Sequence, residues 1–138
     1  MTSVVVDTGP LVAFFDRSSS DHDWVVEQFK SLTTPLETCE PVLSEVLFLL
    51  KRAGLAPDPL FEMIERDVLR PSFRLRDEFQ AVRKLLQKYE SLPTSLADAC
   101  LVRMSETTPQ SVVLTLDRDF LVYRRNRRHA IPLLAPFL

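Results

Sequence analysis

The sequence predicts an α/β fold, with a central, mostly parallel sheet flanked by helices. Three features predict it. Short β-branched runs at Ser3–Val6 and Ser111–Leu116 are unbroken rather than alternating, as in strands covered on both faces. Segments with helical periodicity fill the chain between them. Two glycines against 10 prolines leave few places for the tight hairpins of an antiparallel fold.

The elements follow in order. Ser3–Val6 is the first strand, and Pro10–Phe15 opens a helix with proline in its first turn. Asp21–Leu32 reads as a helix capped by Ser20 or Asp21, with Trp24, Val25, Phe29 and Leu32 near one face. Thr33–Glu40 is a turn with a short strand. Pro41–Ala53 is the clearest helix: Pro41 suits the first position, Leu43, Val46, Leu47 and Leu50 form a stripe, and Gly54 terminates it. Pro59–Leu69 reads as a further helix stopped by Pro71, and Ser72–Leu75 as a strand. Asp77–Tyr89 is helical, with Phe79, Val82, Leu85, Leu86 and Tyr89 in register. Ser95–Ser105 is the last helix, and Ser111–Leu116 and Ile131–Leu134 are two more strands.

A length of 138 residues suits one domain spanning residues 1–138, and a 46% hydrophobic content suffices for its core. No apolar run approaches a membrane span, and the chain enters a strand without a basic leader, which favours a cytoplasmic protein. Cys39 and Cys100 sit in apolar surroundings and read as reduced core residues. Neither G-x-x-x-x-G-K-[ST] nor G-x-G-x-x-G occurs, which excludes the glycine-rich phosphate cradles.

In parallel α/β sheets, sites form past the carboxyl ends of strands, where the strand order reverses. Asp7 follows the first strand there, and Asp117 follows "SVVLTL". Each acid has a structural reading beside the functional one. Asp7 suits a turn or a helix N-cap. Its Asp-Thr-Gly also matches the aspartic-protease signature, but those proteases are almost wholly strands, and this chain is mostly helical. Glu45 suits a first-turn glutamate favoured by the helix dipole. Asp98 completes a capping-box-like Ser95-Leu-Ala-Asp98, yet small and apolar residues surround it. Asp117 could belong to a plain turn, and Asp119 could cap the element holding Phe120 and Leu121; of the two, Asp117 is assigned the site role, with Asp119 the alternative fourth acid.

The order strand-Asp, helix-Glu, helix-Asp, strand-Asp spans nearly the whole chain. The segments "VVVDTGPLVAFFD", "PVLSEVLFLLKR", "TSLADACLVRMSE" and "VLTLDRDFLVYRR" resemble PIN-domain ribonucleases of the VapC toxin type. The resemblance implies a PIN-like three-layer sandwich with Asp7, Glu45, Asp98 and Asp117 as the catalytic acids. It sets Thr8 and Thr115 where small hydroxyl residues support the site, with Asp119 beside them. Gly9-Pro10 stands where many members carry Ser-Ala.

Two carboxylates about 4 Å apart repel by roughly 4 kcal/mol at an effective dielectric near 20. Four converging acids therefore call for protons or a cation, and carboxylates with water suit Mg²⁺ or Mn²⁺. His22 and His129 are isolated, so no zinc cluster competes. The expected chemistry is metal-assisted hydrolysis of RNA. Asp7 and Asp117 would be the principal ligands, Asp98 a further one, and Asp98 and Glu45 would position the attacking water.

A net charge of −2 does not mark a nucleic-acid binder, but "YRRNRRH" concentrates basic charge. One reading is a solvated loop. The other is a phosphate-contacting rim of Arg118, Arg124 and Arg125, with Tyr123 stacking on bases. The resemblance further implies an antitoxin partner and a homodimer. Apolar residues of "EVLFLLKR" and "DPLFEMIERDVL" beyond one buried face could line a groove or interface. Two other classes stay open: a PIN nuclease in RNA processing outside a toxin pair, and a catalytically silent binding module.

Overall fold

Val4, Val5 and Val6 form the central strand of a five-stranded sheet and are 7%, 2% and 0% exposed. The computed structural model describes residues 2–138. Along them run β1 (Ser3–Val6), α1 (Thr8–Phe15), α2 (His22–Lys30), β2 (Leu36–Glu37), α3 (Glu40–Arg52) and α4 (Asp58–Glu65). Then come β3 (Leu69–Arg70), α5 (Leu75–Lys88), α6 (Leu96–Thr107) and β4 (Ser111–Leu114). A 3₁₀ turn at Arg118–Leu121 leads to β5 (Arg124–Arg125), β6 (His129–Ala130) and β7 (Leu133–Leu134).

The sheet order is β3-β2-β1-β4-β7, and every pairing in it is parallel. Val4 lies opposite Leu36 on one side and Val112 on the other. The chain thus builds outward from β1 in one direction, then returns to its other side. The reversal falls between β1 and β4, and their carboxyl ends open the crevice such a reversal creates. Helices flank the sheet in a three-layer α/β sandwich, as the sequence predicts. Val5, Val6, Leu36, Leu69, Leu101 and Leu114 sit in one hydrophobic core. Each such side chain contributes about 1.5–3 kcal/mol through burial. Among the described residues, no helix is long and apolar enough to cross a membrane.

Three local expectations change. The third strand is Leu69–Arg70, not Ser72–Leu75. Asp67, with φ of 59°, ends the turn after α4 in the left-handed region, and Leu69 rather than a later residue fills the place beside Leu36. Leu75 instead begins α5. Only Leu133–Leu134 of Ile131–Leu134 joins the sheet, although the Pro132 carbonyl accepts from the Val113 N–H at 2.9 Å. The basic run is partly a hairpin, β5 against β6, turned by Asn126 and Arg127 at φ of 50° and 75° without a glycine. Cys39 and Cys100 are buried and form no disulfide.

Candidate metal centre

The Asp7 N–H donates to the Leu114 carbonyl at 3.0 Å, which carries the β1–β4 ladder one residue past the strand. Its side chain then caps α1: Oδ1 accepts from the Thr8 N–H at 2.7 Å. Asp7 is therefore both the predicted cap and a group at the crevice. Its Oδ2 accepts from the Thr115 hydroxyl at 2.7 Å. The same Thr115 oxygen accepts the Asp117 N–H at 3.0 Å. One buried hydroxyl thus fixes the ends of β1 and β4 against each other.

Asp117 Oδ1 accepts from the Asp119 N–H at 2.8 Å and caps the 3₁₀ turn. This corrects the expected division of labour, because the capping carboxylate is Asp117 and not Asp119. The turn is tight enough that an acid at its entrance reaches the backbone two residues on. Asp98 is held by a complete capping box. Its N–H donates to Ser95 Oγ at 3.0 Å, and its Oδ2 accepts from the Ser95 N–H at 3.2 Å.

One carboxylate oxygen each from Asp7, Asp98 and Asp117 lie within 4.8 Å of one another. Glu45 on α3 stands outside this trio but lines the same cleft, an open space of about 640 Å³ shared with Gly9, Ser95, Leu116 and Arg118. Its Oε2 accepts from the Thr8 hydroxyl at 2.8 Å. Thr8 and Thr115 thus each hydrogen-bond an acid of the cleft.

The electrostatics follow from this geometry. Burial pushes the Asp7 carboxyl up to about 7, against the hydrogen bonds from Thr115 and Thr8, and the Asp98 and Asp117 charges add to it. Asp98 is raised as well, chiefly by burial, although donors from Ser95 and Tyr123 oppose the shift. Among the described residues, no lysine, arginine or histidine forms an ion pair with Asp7, Glu45, Asp98 or Asp117. The Arg118 guanidinium lies 4.9 Å from the centre of the Phe137 ring. Such a trio either takes up protons and loses charge or keeps its charge beside a cation. The donor set is all oxygen, with no nitrogen or sulfur, and fits a hard divalent cation such as Mg²⁺ or Mn²⁺.

The basic rim differs from expectation. Tyr123 is 0% exposed and cannot stack on a base, which corrects that reading. Its ring packs edge-on against Tyr89 and Phe120, and its phenol donates to Asp98 Oδ2 at 3.0 Å. An aromatic residue beside four arginines carries no sequence signal for such burial. Arg124 donates to the carbonyls of Leu121 and Tyr123, and Arg125 to those of Ser105 and Pro109. Of the four expected rim residues, Arg118 alone lines the acidic cleft.

The profile of the PIN domain family matches residues 4–126. Ribonuclease VapC26 of Mycobacterium tuberculosis is 26% identical over 120 residues, covering 83% of this chain and 87% of that protein. The crystal structure of Mycobacterium tuberculosis VapC20, a sarcin-ricin loop cleaving toxin, superposes with a TM-score of 0.72. It is 22% identical, with 85% of this chain and 92% of that one covered, and the likeness is one of fold. The strand-end and helix-borne acids of the crevice lie within the matched residues, and the chain belongs to the PIN domain family.

Proposed function

We propose that this chain is a divalent-metal-dependent endoribonuclease of the VapC toxin type, acting in the cytoplasm. The observation that carries the reading is the trio Asp7, Asp98 and Asp117, with oxygens within 4.8 Å and, among the described residues, no ion-pair partner. The ribonuclease name of the 26%-identical relative supports the substrate class.

Asp7, Asp98 and Asp117 would hold Mg²⁺ or Mn²⁺. When bound, such an ion supplies a water of lowered pKa and offsets charge on the phosphate oxygens. The chain's own groups do the rest. Thr115 keeps Asp7 and Asp117 in register. The capping box turns Asp98 toward the cleft and leaves its Oδ1 without a donor among the described residues. Thr8 holds Glu45 by Oε2, and Oε1, which accepts no hydrogen bond among the described residues, would take the proton of the attacking water. Arg118 gives the acidic cleft a positive edge for the phosphate backbone.

The toxin reading also implies an antitoxin and a homodimer. Phe48 and Leu49 on α3 and Phe61 on α4 are exposed apolar residues that support a protein-binding face. Inducible expression in a bacterial host, with RNA sequenced at new 5′ ends, tests the function. Growth arrest with discrete new ends supports it. Normal growth and an unchanged RNA profile, with soluble protein present, refute it.

A further inference from the structure

The segment after the 3₁₀ turn grips α6 at both ends. At the first turn the Tyr123 phenol donates to Asp98 Oδ2 at 3.0 Å, with the Thr94 hydroxyl 3.1 Å from the phenol oxygen. At the last turn the Arg125 guanidinium donates to the Ser105 carbonyl at 3.0 Å, and the Asn126 N–H donates to Glu106 Oε2 at 2.7 Å. We propose that Tyr123 is a positioning residue of the metal centre. It fixes the Asp98 carboxylate so that one oxygen is tied to protein donors and the other is presented to the cation. This inference rests on the metal-dependent reading above.

Three observations carry it. Asp98 Oδ2 has two donors, the Ser95 N–H and the phenol, whereas Oδ1 has none among the described residues. The carboxylate cannot rotate to exchange its oxygens without losing both bonds. The phenol is itself immobile, because Tyr123 is fully buried between Tyr89 and Phe120 at ring separations of 5.0 and 5.1 Å. Finally, an O–H donated to a carboxylate is charge-assisted and stronger than a neutral bond, so it favours the charged form that a cation needs. Removing donors that orient metal-binding side chains typically weakens metal affinity about 10–100-fold.

The test is calorimetric titration of the full chain with Mn²⁺, alongside thermal melting. Tyr123→Phe keeps the ring and removes only the hydroxyl. Its Mn²⁺ affinity is expected to fall about tenfold. Tyr89→Phe is the control: it removes a neighbouring phenol that accepts the Arg124 N–H at 2.8 Å but does not touch Asp98. It should bind Mn²⁺ as the parent chain does. In an Asp98→Asn background, Tyr123→Phe should have no further effect on Mn²⁺ affinity. Equal affinity of Tyr123→Phe and parent chain overturns the positioning role, whatever happens to the melting temperature. Where Tyr123→Phe does not fold, Thr94→Val decides, because it removes the hydroxyl that donates to the phenol oxygen and directs the phenol proton to Asp98. A two- to threefold loss supports the proposal, and unchanged affinity overturns it. Absence of Mn²⁺ binding by the parent chain overturns the metal-dependent reading itself, a result distinct from the others.

Discussion

Thr115 donates its hydroxyl to Asp7 Oδ2 at 2.7 Å, joining residues 108 positions apart in the chain. The same oxygen accepts the Asp117 N–H, so one side chain links two acids across the point where the strand order reverses. Thr115→Val keeps the shape and removes both bonds in a fully buried place. It should cost about 1–3 kcal/mol, read as a melting temperature lower by roughly 3–8 °C, and weaken Mn²⁺ binding. Thr115→Ser should restore both readouts. A valine variant as stable as the parent chain would show that the hydroxyl does not hold this junction.

Asp7 gives the metal-free protein a pH dependence of unusual sign. Its carboxyl titrates at about 7 when folded, against an ordinary value of 3.8. Between those values the folded chain keeps a proton that the unfolded chain has released. Its contribution to stability is therefore full below about pH 4 and is lost as pH rises through about 7. In EDTA, the melting temperature should fall between about pH 5.5 and pH 8. Excess Mg²⁺ should raise it most at the alkaline end, because cation binding there displaces no proton. Asp7→Asn should flatten both trends. A metal-free melting temperature that climbs across this range contradicts the assignment.

Glu45 and the trio should separate experimentally. Glu45→Gln preserves an acceptor for the Thr8 hydroxyl, so the fold and most of the Mn²⁺ affinity should survive. Cleavage should nonetheless fall on the order of 100-fold, the usual size of a lost general base. Asp98→Asn should reduce both cleavage and Mn²⁺ binding. Equal losses of Mn²⁺ affinity in the two variants would place Glu45 among the ligands instead.

The arginines should divide into two kinds. Arg118→Ala should weaken RNA binding and lower the salt dependence by about one unit of slope, with little change in melting temperature. Arg125→Ala should lower stability by about 1 kcal/mol, because it removes the donor to the Ser105 and Pro109 carbonyls at the end of α6. Filter binding at several salt concentrations, paired with thermal melts, checks both. RNA binding lost only in the Arg125 variant would reverse the assignment.

Much of the candidate site is legible because it lies where sequence signals are strong. Three buried valines followed by Asp7, and "SVVLTL" followed by Asp117, mark the strand ends that the reversal of sheet order brings side by side. Asp98 was legible as a cap, and it is one; the capping geometry is also what aims it at the cleft. The structural and functional readings of these acids are compatible, because a cap fixes a carboxylate at a helix end beside the crevice. The two-residue strands β2 and β3 are too short to show a period, and their places depend on pairing, β2 with β1 and β3 with β2. Tyr123 was misleading for the opposite reason. Local composition placed it on a charged surface, while its ring packs between Tyr89 and Phe120 and its phenol reaches Asp98, 25 positions earlier. Gly9 also became intelligible only in three dimensions: a Cβ there would stand 3.3 Å from the Leu116 side chain.

The most direct test is cleavage of an end-labelled stem-loop RNA by the purified chain, comparing Asp7→Asn with the parent in Mg²⁺ and in EDTA. The account predicts discrete internal cuts by the parent chain in Mg²⁺, none in EDTA, and a rate at least about 100-fold lower for Asp7→Asn. Cutting at the parent rate by Asp7→Asn, or undiminished cutting in EDTA, would contradict it.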